Sequence, residues 1–308
     1  MKRQFLSILS TTAVISFCFS VACSAASTEG IEPGKSADLN SGNFVGGVDI
    51  PAGSYVLSCA TDDKTHGIVW LSSETDNLEE DYPSILYESV STNENRRFYI
   101  PLREGRILHT PFRCILTSVD YLSETPEELH AGMYVGGTDL PAAKYQISYE
   151  TDDSSHGIIW LADVNDDLEN EYPSMLYENI STNEQGSFYL SMEEGRILFL
   201  PVTCKVISKA DAVVFQDNQA ELLAGQYLVG DDLPAGTYDI TCKPQEFQNS
   251  GLLWVSAPED NLEENYPSVL YEHVTSDEAF HVTVQDGARI FLPFPCIFET
   301  SEGGVVFK

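Results

Sequence analysis

Val45-Gly46-Gly47-Val48-Asp49-Ile50-Pro51-Ala52-Gly53-Ser54-Tyr55 returns as Val135 to Tyr145, and again as Leu228-Val229-Gly230-Asp231-Asp232-Leu233-Pro234-Ala235-Gly236-Thr237-Tyr238. Three further words follow it in the same order each time. Gly67 to Trp70 recurs as Gly157 to Trp160 and Gly251 to Trp254, Tyr82 to Glu88 as Tyr172 to Glu178 and Tyr266 to Glu272, and Pro111 to Cys114 as Pro201 to Cys204 and Pro293 to Cys296. From Val45 to Val135 the offset is 90 residues, well beyond the roughly 20–50 of solenoid and propeller repeats, so each copy is expected to enclose a core of its own. This predicts three tandem domains, 42–122, 131–215 and 224–308, each hiding its own aromatic rings without help from its neighbours. The short polar connectors 123–130 and 216–223 suit beads held in a loose line.

Within a copy, short runs rich in Val, Ile, Tyr and Phe alternate with clusters of Gly, Pro, Asp and Asn, the pattern of a small antiparallel sandwich or barrel. The fold class is therefore all-β. In the first copy strands are expected near 43–48, 54–60, 68–72, 85–91, 97–102, 106–110 and 114–118. The opening word reads as a strand end followed by a turn. Pro51 fixes its own φ and holds Ile50 extended, while Asp49 is placed to accept backbone hydrogen bonds. Ala143 stands where Gly53 stands in the first copy, so a left-handed residue is not required there.

Lys2 and Arg3 precede an apolar run from Phe5 to Ala22 and the small residues Ser24, Ala25 and Ala26, which reads as a secretory signal over 1–26. Ser20-Val21-Ala22-Cys23 resembles the bacterial lipobox, whose cysteine is acylated; the alternative is cleavage near Ala25 or Ala26 and release. Residues 27–41 are polar, carry Gly30, Pro33 and Gly34, and read as a flexible stalk. The chain is thus expected to be exported, and either anchored on the outer face of the cell membrane or secreted. Its 16 basic against 48 acidic residues give a formal net charge of −32, which repels nucleic acid and anionic head groups and leaves a lipid anchor as the expected membrane contact.

Cys59 and Cys242 occupy matching places, as do Cys114, Cys204 and Cys296. In an exported protein this predicts disulfides Cys59–Cys114 and Cys242–Cys296. Tyr149 replaces the first cysteine of the second copy and leaves Cys204 as an odd thiol, expected to be buried between apolar flanks.

Asp62, Asp63 and His66, with Asp152, Asp153 and His156 in the second copy, have the residue types of a zinc or calcium site. The third copy replaces this segment entirely, and a turn needs only Asp and Gly, so turn chemistry and no cofactor are expected. The acidic stretches 76–81, 166–171 and 260–265 lack the spacing of an EF-hand loop and read as solvated turns. Trp70, Trp160, Trp254 and the tyrosines around Pro83, Pro173 and Pro267 are expected in the core, with exposed sugar-stacking platforms as the alternative. Arg106, Arg196 and Arg289, the last after a one-residue shift, are expected to pair with Glu88, Glu178 and Glu272. No nucleophile with its base and no phosphate-cradling loop recurs in the three copies, so enzymatic activity is not expected.

The Val-Gly-x-Asp-Ile-Pro-Ala-Gly-x-Tyr word, with the later Gly105-Arg106-Ile107 strand, resembles a repeat of secreted proteins and lipoproteins of Gram-positive-type bacteria, over nearly all of the chain after the signal. The resemblance implies an envelope protein and brings no substrate or catalytic residue with it. The chain departs from that repeat in its cysteines and its longer central acidic segment. Triplication without added chemistry points to a noncatalytic binding or surface-display protein whose partner is a protein or glycan at the cell surface. The alternatives are a calcium-dependent adhesin using the acidic loops, and carbohydrate binding through the tryptophans.

Overall fold

Every regular element is a β-strand among the residues described, 32–80, 82–168, 172–210, 213, 215–244, 250–262 and 266–301 of a computed structural model. The first repeat supplies β1 (Ser36–Leu39), β2 (Gly42–Val45), β3 (Gly53–Ala60), β4 (Gly67–Leu71), β5 (Leu86–Val90), β6 (Asn95–Leu102), β7 (Ile107–Thr110) and β8 (Cys114–Ser118). They form two four-stranded antiparallel sheets, ordered β1-β8-β3-β6 and β2-β7-β4-β5. The second repeat supplies β9 (Glu128–Leu129), β10 (Gly132–Val135), β11 (Ala143–Glu150), β12 (Gly157–Ala162), β13 (Leu176–Ile180), β14 (Gln185–Met192), β15 (Ile197–Leu200) and β16 (Cys204–Ala210). The third supplies β17 (Gln219–Leu222), β18 (Ala224–Leu228), β19 (Gly236–Cys242), β20 (Gly251–Val255), β21 (Leu270–Val274), β22 (Glu278–Val284), β23 (Arg289–Leu292) and β24 (Cys296–Thr300). Both strand orders recur at an offset of eight strands.

The alternation within each strand decides what is enclosed. Tyr55, Leu57 and Cys59 of β3 face Val69 and Leu71 of β4 across a core completed by Phe98, Ile100 and Leu108, while the residues between them point outward.

The shared opening word is a turn closed by its own hydrogen bonds. The Asp49 carboxylate accepts from the Val45 amide at 2.8 Å, and Asp139 and Asp232 accept likewise from Val135 at 2.9 Å and Leu228 at 2.6 Å. The Tyr55 hydroxyl donates back to the Pro51 carbonyl at 2.6 Å, a bond repeated by Tyr145 and Tyr238. Left-handed backbone falls on Gly47, Gly137 and Gly230, the glycine common to all three words, and not on Gly53. The word is therefore structural.

Two expectations about the linking segments are corrected. Ser36–Leu39, placed in the stalk, is strand β1: it pairs with β8 from Ser36↔Thr117 to Leu39↔Cys114 and buries Leu39. The connectors likewise hold β9 and β17, which pair with β16 and β24. Residues 1–31, with the signal and Cys23, lie outside the described residues.

The expectation of self-contained cores is also corrected. β14 and β18 pair in parallel, Phe188↔Ala224 and Tyr189↔Gly225, which joins four strands of the second repeat and four of the third in one eight-stranded sheet. A single parallel bridge, Phe98↔Ala131, makes the corresponding join between the first and second repeats, where the Tyr99 amide donates to the Ala131 carbonyl at 2.7 Å.

The side chains follow the backbone. Phe98 and Ile100 point into the first core, so Tyr99 between them must point away from it, and it stacks on Tyr134 of the second repeat at 4.2 Å. Tyr189 stacks on Tyr227 of the third at 4.4 Å. A Cβ on Gly132 or Gly225 would come within 2.7 Å of the Tyr99 carbonyl or 2.4 Å of the Tyr189 carbonyl, so the approach requires glycine.

Asp139 and Asp232 do double duty. Each caps its turn with Oδ2 and turns Oδ1 to a cation of the preceding repeat, Arg103 for Asp139 and Lys144, at 2.8 Å, for Asp232. Burial raises the Asp139 pKa and the Arg103 charge opposes that shift. A segment of this size encloses too small a fraction of its surface to be indifferent to a neighbour, which is the physical reason the copies share side chains.

A repeated aromatic face

Val69 and Leu71 take the inner side of β4, so Trp70 is forced onto the outer side, where it is half-buried and not part of the core expected from the sequence. Its cross-strand partners are Tyr87 on β5 and His109 on β7. The indole stacks on the His109 ring at 5.2 Å and 10°, and Trp160 stacks on Phe199 at 5.6 Å and Trp254 on Phe291 at 5.7 Å. At the other end of the row Tyr82 leans on Tyr87 at 5.0 Å, as Tyr172 does on Tyr177 at 4.9 Å and Tyr266 on Tyr271 at 4.8 Å. Tyr82, Tyr172 and Tyr266 are 76%, 60% and 76% exposed, which excludes them from any core. Each repeat thus carries a row of four rings on the outside of its second sheet. His109, Phe199 and Phe291 were not singled out in the sequence; only the register that sets them beside the tryptophans identifies them.

The acidic loops beside this row are held by their own aspartates. Asp76 Oδ2 accepts from the amides of Ser73 and Ser84, both at 2.8 Å, and Asp166 and Asp260 tie their loops in the same way. Hydrogen bonds from Ser84 and Ser73, with the Arg106 charge, hold the Asp76 carboxyl below its usual range against the opposing effect of burial. In the other loop Asp62 Oδ1 accepts from the Lys64 and Thr65 amides, and Asp152 from those of Ser154 and Ser155, which lowers Asp152 to about 2. Asp153 accepts from the Asn183 amide group, while Asp63, His66 and His156 are exposed. Among the described residues no three metal-ligating side chains converge.

None of the expected Glu–Arg pairs forms. Glu88 pairs with Val69, whereas Arg106 lies beyond the Leu71 end of β4, so their side chains are held apart. Arg106 instead pairs with Glu74 at 2.9 Å, Arg196 with Asp163 and Glu193, and Glu88 with Arg96 at 3.2 Å. Gly186 takes the place of Arg96 in the second repeat, which leaves Glu178 without that cation. Burial, and then the Glu184 charge, push its pKa up to about 7. Glu272 is exposed. Arg289 is not the counterpart of Arg106 at all: Leu228↔Arg289 matches Val45↔Ile107, so Arg289 takes the isoleucine's place and buried Ala288 that of the arginine.

Cys242 and Cys296 face each other across β19 and β24 with Sγ atoms 3.0 Å apart, and Cys59 and Cys114 are likewise in contact through their sulfurs. Cys204 faces Tyr149 and is fully enclosed; burial pushes its thiol up to about 12. The Tyr149 hydroxyl donates to Glu184 at 2.7 Å.

In comparisons with known proteins, no family model matches the chain and no curated protein matches it at a significant level.

Proposed function

We propose that this is a noncatalytic, exported binding protein made of three tandem copies of one β-sandwich domain, which presents its aromatic rows to glycan at the cell surface. The observation that carries the reading is the recurrence, three times, of a tyrosine–tyrosine–tryptophan row on the outside of a sheet, where it contributes nothing to the core. Apolar ring faces of this size left in water favour stacking against the C–H faces of pyranose rings. Three sites on one chain convert a weak single contact into avidity. Export through the segment 1–26, anchorage through Cys23 and cystines at Cys59–Cys114 and Cys242–Cys296 belong to the same proposal.

The test is affinity electrophoresis of the exported protein through gels containing soluble polysaccharides, together with pull-down on insoluble peptidoglycan. Retardation by at least one glycan is expected, reduced stepwise as Trp70, Trp160 and Trp254 are changed to Ala one after another. If no glycan retards the intact protein, the reading is wrong.

A further inference from the structure

The third aromatic row differs from the other two by one charge. Arg289 sits on β23 two residues before Phe291, and side chains two apart share a face, so the guanidinium lies on the same outer side as the Trp254–Phe291 stack. In the first two repeats this position is Ile107 or Ile197. Arg289 is exposed and has no ion pair among the described residues, although the chain has three times as many acidic as basic side chains.

The surroundings of Arg289 form a site. A groove of about 870 Å³ runs between the second and third repeats, with Arg289, Trp254, Tyr266 and Tyr271 on one side and Tyr172 and Asp166 on the other. That volume is typical of small-ligand clefts. Among the described residues the groove also carries the carboxylates of Asp163, Asp166 and Asp260: Asp163 is paired with Arg196, while Asp166 and Asp260 each turn Oδ2 to two backbone amides of their own loops. The acidity of the whole chain repels an anion at long range, but the Debye length at physiological salt is about 8 Å, so distant carboxylates are screened and Arg289 has to outweigh only those that line the groove.

We propose that this groove binds a sugar acid: the guanidinium of Arg289 takes the carboxylate of a uronic or sialic acid in a planar two-point contact while Trp254 and Tyr266 stack on the ring. The proposal rests on the aromatic-row reading above and adds to it the chemical class of one ligand and the residue that selects it.

The test measures affinity of the full exported protein for polygalacturonate against its methyl ester, and for a sialylated oligosaccharide against the same oligosaccharide without sialic acid. The intact protein is expected to prefer one acidic form over its neutral counterpart by about tenfold or more, the usual size of a charge-assisted contact. Arg289→Ile, which installs the residue the other two repeats carry, should bring the acidic form down to the affinity of the neutral one. Arg289→Lys should restore part of the difference. Which pair shows the preference identifies uronate or sialate as the source. Equal affinity for acidic and neutral forms, preference confined to sulfated glycans, or a preference that survives in Arg289→Ile would each overturn the sugar-acid proposal while leaving the aromatic rows as glycan sites. Failure of every glycan to bind the intact protein would overturn both.

Discussion

The middle repeat and the two outer ones treat one cross-strand position in opposite ways. In the outer repeats it holds facing cysteines, Cys59 with Cys114 and Cys242 with Cys296; in the middle one Tyr149 faces Cys204. The middle repeat is also the one engaged on both sides, receiving Tyr99 from the first repeat and delivering Tyr189 to the third. A cysteine pair in contact stands in the first and third repeats, and a hydrogen-bonded tyrosine stands in the repeat that is docked on both sides. The difference points to stability distributed along the chain, with the proposed cystines and the docking contacts substituting for one another.

The largest effect should come from the cysteine pairs. Each proposed cystine closes a loop of about 55 residues, worth roughly 4 kcal/mol in the chain-entropy model. Cys59→Ala combined with Cys242→Ala should therefore lower the denaturation midpoint of the unreduced protein to that of the reduced wild type. Alkylation of the native protein that labels Cys59 or Cys242 readily would refute the pairing. Next come the docking tyrosines: Tyr189→Ala or Tyr99→Ala should cost about 3 kcal/mol, as expected for an enclosed aromatic ring. His281→Ala, at the matching place on the third repeat's exposed face, should change stability by less than about 0.5 kcal/mol. Equal midpoints for the tyrosine and histidine variants would mean that the junctions do not hold the repeats together.

The last effect is a pH dependence, strongest in the middle repeat. The Glu178 carboxyl titrates near 7 in the folded chain against 4.5 ordinarily, so the folded state retains the proton longer than the unfolded state does. Stability is then fully present below pH 4.5 and falls as pH rises to about 7. Glu178→Gln should abolish that slope and be more stable than wild type at pH 8 by on the order of 1–2 kcal/mol. Denaturant midpoints at pH 4 and pH 8 decide it. Glu88→Gln should gain less, because it loses the bond to Arg96.

Much of the sandwich was legible in the sequence because alternation and turn words carry it. The strands expected near 54–60 and 114–118 lie within a residue of β3 and β8. β1 was missed because Ser-Ala-Asp-Leu buries a single side chain, Leu39, and so has no alternation to detect. The junctions were missed for a different reason: Tyr99 and Tyr134 are each ordinary strand aromatics, and their stacking depends on which edge strands meet. A hint was present in the replacement of Tyr99 and Tyr189 by His281, in the copy whose corresponding position docks on no other repeat among the described residues. Aromaticity alone points the tryptophans to the core, whereas the parity of Val69 and Leu71 sets Trp70 on the outer side. Arg289 resembles Arg106 in sequence, but a one-residue difference at the 286–289 turn moves its side chain to the opposite face.

The middle segment carries a matched plug and socket. Its outgoing end offers Tyr189 and Lys144, and its incoming end offers Ala131, Gly132, Tyr134 and Asp139, the same kinds of group that meet at the second junction. A duplicate of it spliced in tandem would find its own complement already in place. The array could thus be lengthened one link at a time, by copying a stretch of DNA, with no new interface to evolve.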